Sequence, residues 1–188
     1  MQYQKEEVRK RILDVAFAEF EREGYYKANM LRIATRAKVP IGNLYRYFNG
    51  KSVLFDALVG EAAAVIPEFV KMSYQQNAEG IEGEGKSEQI RNGILAIFER
   101  YGREFMLLLD RSQGSKFSEF GNALCKEICN LWKQAFSRGE EDELMIEILA
   151  EGFISGSLKV FRLAEASERA ALVDRLMKFY FQNIKDRI

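Results

Sequence analysis

The 188-residue sequence has no histidine, two cysteines and two prolines. Without histidine there is no Ser-His-Asp or Cys-His nucleophile arrangement and no His-containing zinc site. No catalytic residue, cofactor or metal is therefore expected, and a helical enzyme built on carboxylates, Lys or Tyr remains a weak rival. Two cysteines cannot make a disulfide framework. Cys125 and Cys129 lie four apart on one expected helix and read as small members of an apolar stripe, with redox or metal sensing the lesser reading. No apolar run approaches the ~18 residues of a membrane span. The Lys/Glu-rich start lacks the apolar segment of a secretory signal, so the expectation is a cytoplasmic protein with no membrane partner. Strand-like alternation is also missing, which makes the expected fold class all-α.

Charge is balanced overall, with 28 basic and 28 acidic residues. Its distribution is uneven. Residues 1–51 hold eleven Lys and Arg against six Asp and Glu, a balance of +5, and residues 52–188 carry the compensating −5. Such asymmetry suits an electropositive head that meets nucleic acid and an acidic body that does not.

The head reads as three helices. Val8, Ile12, Ala16 and Phe20, broadened by Leu13 and Phe17, mark a helix over 5–23 that Gly24 ends in a positive-φ conformation. Tyr25 and Tyr26 are expected to pack the corner that follows. From Asn29 to Lys51 two short helices flank a tight turn. Asn29 caps the first, whose inner face is Met30, Ile33, Ala34 and Ala37. Small Ala34 and Ala37 allow a close crossing. The second starts near Pro40, whose fixed φ suits a first helical position, and carries Leu44 and Phe48 inward. Gly42, Asn43, Tyr45, Arg46 and Tyr47 are left on the outside or rim. Small, amide, phenolic and basic groups on the second of two crossed helices fit a recognition helix in a major groove.

The pattern Gly24-Tyr25-x-x-Ala28-Asn29-Met30-x-x-Ile33-Ala34-x-x-Ala37-x-Val39-x-x-Gly42-Asn43-Leu44-Tyr45-x-Tyr47-Phe48-x-x-Lys51-x-x-Leu54-Phe55 resembles the signature of the tetracycline-repressor (TetR-like) family over roughly the first third of the chain. Ala28 and Asn29 stand where two threonines are usual. Lys38 stands where glycine is common, and Pro40 replaces the usual serine or similar cap. The resemblance implies a helix-turn-helix DNA-binding domain over 1–51 and a helical effector-binding and dimerisation domain over 52–188. It further implies a ligand-responsive regulator, most simply a repressor, bound as a homodimer to a palindromic operator in double-stranded DNA. Tyr45 and Lys51 match positions that contact phosphates. Asn43 fits a base edge, Ile41 a thymine methyl, Gly42 a close backbone approach, and Arg46 a phosphate or guanine. Asn29, Pro40 and Tyr47 complete the expected DNA-binding set. Lys38, at a glycine position of the turn, is expected at positive φ.

In the body, Lys51 opens a helix through Val53, Leu54, Leu58, Ala62 and Val65, with Pro67 as its kink or end and a further segment carrying Phe69, Val70 and Met72. Residues 77–87, glycine-rich, read as a loop, with Ser87 capping a helix on Ile90, Ile94, Phe98, Tyr101, Phe105 and Leu108. A helix on Phe120 to Phe136 follows, stopped by Gly139, then a pair over 142–163 and 167–186 with Ser167 as the second cap. Phe98, Tyr101, Phe105, Trp132, Phe136 and Phe153 are either core or, as the resemblance implies, the lining of a pocket for a small apolar or amphipathic effector. Gly152 and Gly156 call for close helix–helix approach. With Leu172, Leu176, Phe179 and Tyr180 they mark the expected dimer interface, packing within one subunit being the alternative. A helical architectural or protein-interaction module without an effector is the other rival.

Overall fold

The computed structural model describes residues 2–75, 84–137 and 139–181. They form eight helices and no strand: α1 (Gln2–Lys27), α2 (Met30–Arg36), α3 (Ile41–Tyr47), α4 (Lys51–Gln75), α5 (Glu84–Asp110), α6 (Phe120–Phe136), α7 (Glu140–Leu163) and α8 (Ala166–Phe181). The fold class is all-α. Two compact units divide the chain, one of residues 1–64 with 103–121 and one of 65–102 with 122–188.

The first unit is built on the period read from α1. Ile12, Ala16, Phe17 and Phe20 are buried, as are Ile33, Ala34, Ala37, Leu44, Phe48, Leu54 and Phe55. Gly24 interrupts α1 at φ 72, ψ 164, so the helical turn after it leaves in a new direction. A positive φ that a side chain would resist is open to glycine. Its neighbour Tyr25 donates its N–H to the Arg111 carbonyl at 2.7 Å, and its ring packs edge-on to Phe55. Tyr26 lies beside Tyr25 along Gly114 but stays 77% exposed, so it borders the corner without filling it.

The second unit centres on Trp132, fully buried among Phe136, Ile146, Phe153, Val173, Met177 and Phe181. Gly93 on α5 receives the ring of Phe69 from α4, which occupies the space where any Cβ would stand.

Several element ends differ from the sequence reading. Pro67 neither ends nor splits its helix; α4 runs through it, since the apolar period of Val59, Ala62, Ile66 and Phe69 continues across it and burial outweighs one lost hydrogen bond. Ser87 and Ser167 lie inside α5 and α8 rather than capping them, because each helix starts earlier. Gly139 is the extended N-cap of α7, not the stop of α6. The expected loop at 77–87 falls outside the described residues up to 83, and the remainder is helical.

Candidate nucleic-acid interface

Asn29 caps α2 as expected, its Oδ1 accepting from the N–H of Leu31 at 2.8 Å and of Arg32 at 3.2 Å. Two orphan donors are thereby satisfied and its amide NH2 stays outside. The turn closes through Lys38, at φ 54, with the Val39 N–H on the Ala34 carbonyl at 3.0 Å. Pro40 (φ −57, ψ 140) is the N-cap of α3, one residue before the first-turn position read from the sequence. Its extended ψ sets the entry angle of α3.

Leu44 (0% exposed) and Phe48 (2%) anchor α3. Ile41, Gly42, Asn43, Tyr45 and Arg46 face solvent and Tyr47 is half-buried. Nothing lies within 4 Å of where a Gly42 side chain would be, so the backbone there is open to close approach. Asn43, Arg46 and Tyr47 share one face and, with Lys5 of α1, line a cleft of about 350 Å³. Lys5 carries no signal in the local sequence; it reaches the cleft because the first turn of α1 lies beside α3. Arg9, one turn on, rests over the Phe48 ring at 5.4 Å.

Lys51 is more enclosed than its motif position suggests. Its Nζ donates to the carbonyls of Tyr26 at 3.1 Å and Ala28 at 3.3 Å and lies 4.7 Å from the Tyr25 ring centre. Burial lowers its ammonium below the usual lysine range. One of its three N–H donors is left for a phosphate, and the side chain also pins the start of α4 to the α1–α2 corner.

The residues expected to hold an effector separate. Trp132, Phe136 and Phe153 meet in the core of the second unit, Trp132 lying 5.6 Å from Phe136 and 5.5 Å from Phe153, and Phe98 packs against that cluster. Phe105 belongs to the first unit, edge-on to Phe120 at 6.2 Å. Tyr101 instead carries the Arg100 guanidinium over its ring. Gly152 and Gly156 face α8 of their own chain: added Cβ atoms would stand 2.6 Å from the Tyr180 hydroxyl and 3.1 Å from Leu176. The close approach they permit is thus between α7 and α8. Phe179 is 67% exposed, and Leu172 is half-buried. Burial raises both thiols, Cys129 to about 11, which keeps them protonated and unreactive near neutrality. Among the described residues no group of three His, Cys, Asp or Glu side chains could hold a metal ion, and no helix is long and apolar enough to cross a membrane.

Residues 12–58 match the model of the bacterial regulatory proteins of the tetR family. The HTH-type transcriptional repressor KstR of Mycobacterium tuberculosis (strain ATCC 25618 / H37Rv) is 25% identical over 177 residues, 89% of this chain and 78% of that protein. A TetR-like transcriptional regulator from Rhodococcus sp. RHA1 shares the fold at a TM-score of 0.67 and 17% identity, over 94% of this chain and 95% of the other. AibR, solved in complex with isovaleryl coenzyme A and operator DNA, superposes at 0.65 and 17% identity, over 93% and 98%. The helix-turn-helix, its exposed α3 face and these likenesses agree: residues 12–58 match the tetR family of bacterial regulatory proteins, and the chain resembles TetR-like transcriptional regulators over most of its length.

Proposed function

We propose that the chain is a ligand-responsive repressor, acting in the cytoplasm as a homodimer on a palindromic operator. Residues 1–51 bind DNA, and residues 52–188 bind the effector and dimerise. The observation that carries this reading is the α3 surface, where Asn43, Tyr45 and Arg46 are exposed over a helix anchored by buried Leu44 and Phe48. An amide reads a base edge, while a phenol and a guanidinium fix register on phosphates. Asn29, Pro40, Ile41, Gly42, Tyr47 and Lys51 complete the contact surface.

Repression is supported by the likeness to KstR over most of the chain. An effector is supported by AibR, which holds isovaleryl coenzyme A. That ligand joins a short apolar chain to a polar carrier, so a small apolar or amphipathic effector suits a body whose core is the aromatic cluster of Trp132, Phe136 and Phe153. Dimerisation is supported by the apolar residues left exposed on α7 (Leu144, Met145, Ile148) and by Phe179 on α8, with Leu172, Leu176 and Tyr180 beside it. The effector acts by population shift: it favours a spacing of the two heads that no longer fits adjacent major grooves.

Selection of genomic DNA fragments by the purified protein tests the reading. An inverted repeat should be enriched, its half-site centres about 34–36 Å or a multiple apart. Native mass spectrometry of the same sample should give a dimer and, where the effector is retained, its added mass. No enrichment over bulk DNA, or a monomer that binds single half-sites, would contradict it.

A further inference from the structure

Glu19 of α1 is fully buried, at 0% exposure. A buried carboxylate is tolerated when it is paired and hydrogen-bonded, and Glu19 draws its partners from two helices. Its Oε1 accepts from Arg32 Nε at 2.7 Å and from the Asn29 N–H at 3.4 Å. Its Oε2 accepts from Arg22 at 2.6 Å and from Arg36 at 3.2 Å. Arg22 is also held by Glu23 at 2.8 Å, so its charge is matched on α1 itself. The surplus positive charge therefore falls on α2, on Arg32 and Arg36.

These two arginines stand four apart, on one face of α2. Their side chains are 46% and 47% exposed, although each has one nitrogen fixed on a buried oxygen. Arg32 spends a second donor on the Lys27 carbonyl at 3.1 Å. A guanidinium has five N–H donors in a rigid fork, so both residues keep donors facing outward in a set geometry. Asn29 lies at the same carboxylate, its amide NH2 left over from capping α2. With Arg22 matched by Glu23, Arg32 and Arg36 balance Glu19 and leave one positive charge over, spread across two half-exposed forks that can meet an anion.

We propose that Glu19 is a positioning residue that sets Arg32 and Arg36 as a pair on one backbone phosphate of the DNA, along the flank of α2. The proposal rests on the operator-binding reading and extends it from α3 to the helix that crosses the backbone. Anchored forks lose less rotamer freedom on binding than free arginines, and paired N–H donors match a phosphate's oxygens.

Fluorescence anisotropy of the full chain on its selected duplex, over a salt series, tests this, with circular dichroism to confirm folding. A phosphate contact contributes about 0.9 to the log–log salt slope, so Arg36→Ala should flatten the slope of a dimer by about two. Arg32→Ala should do the same. Because one phosphate is shared, the double variant should lose little more than either single one. Glu19→Gln adds a positive charge to each head, and through-space attraction alone would tighten binding. Loss of the anchor predicts the reverse, binding about tenfold weaker. Should Glu19→Gln not fold, Arg36→Lys keeps both the charge and the pairing of Glu19, and is expected to bind as weakly as Arg36→Ala. Arginine variants that melt lower yet keep wild-type affinity and slope would overturn the proposal, as would tighter binding by Glu19→Gln. If the wild-type chain itself binds no duplex selectively, the operator-binding reading has failed instead.

Discussion

Lys38 turns the chain between α2 and α3 at φ 54. A side chain there costs about 1–2 kcal/mol, which glycine would avoid. Lys38→Gly should raise stability by about 1 kcal/mol after the greater freedom of unfolded glycine is subtracted. Chemical denaturation checks this, and an unchanged or lower midpoint would contradict it. The cap at Asn29 was legible in the sequence because it depends on neighbours within three residues, and the conformation of Lys38 was implied by the family resemblance, which puts it at a glycine position of the turn. The role of Glu19 was not legible, since its partners Arg32 and Arg36 are thirteen and seventeen residues away. The enclosure of Lys51 was hidden for the same reason. The thiols give a second prediction. Cys129 is raised from 9.0 to about 11 by burial, so the unfolded chain loses that proton first. Stability from this group is intact below about pH 9 and is lost as pH rises from 9 through 11. At pH 8 an aromatic disulfide reagent should label Cys129 slowly in the native protein and at once in denaturant. Equal rates in both states would contradict the burial argument.

Helix existence was readable from apolar period; helix ends were less so. Pro67 carries a valid local stop signal that burial overrides, while α5 and α8 simply begin before Ser87 and Ser167. Contact between distant residues also decides where a glycine is needed, and Gly93 shows how closely. The Phe69 ring sits where its Cβ would be. Gly93→Ala should therefore cost about 1–3 kcal/mol despite its better helix propensity. The cost should be largely absent when Phe69 is already Ala, a non-additivity that a double-mutant cycle measures. If Gly93→Ala proves neutral or stabilising in the wild-type background, α4 and α5 are not packed as described. Phe105 carries a related lesson. The period of α5 marks it as inward, but period does not say toward which partner, and it packs on Phe120 in the first unit rather than joining Trp132.

For the whole molecule, the surfaces that α7 and α8 leave open matter more than their glycines. A charge at Gly156 would strike Leu176 of the same chain and disturb the subunit itself. Ile148 (55% exposed) and Phe179 (67%) are better probes, since a charge there should leave the fold intact. Ile148→Glu combined with Phe179→Glu is expected to give folded monomers by sedimentation, with the coupling of half-sites lost; an unchanged dimer would move the interface elsewhere. The central claim is that α3 reads bases through Asn43 while its neighbours grip phosphates. Anisotropy on the selected operator and on a scrambled duplex, across a salt series, tests it with two substitutions. Tyr45→Phe, which removes one exposed hydroxyl, should weaken both duplexes alike. Asn43→Ala should lose roughly 1–3 kcal/mol per half-site on the operator and little on the scrambled duplex, with its salt slope unchanged. Equal loss on both duplexes after Asn43→Ala would make Asn43 a backbone contact and contradict the account.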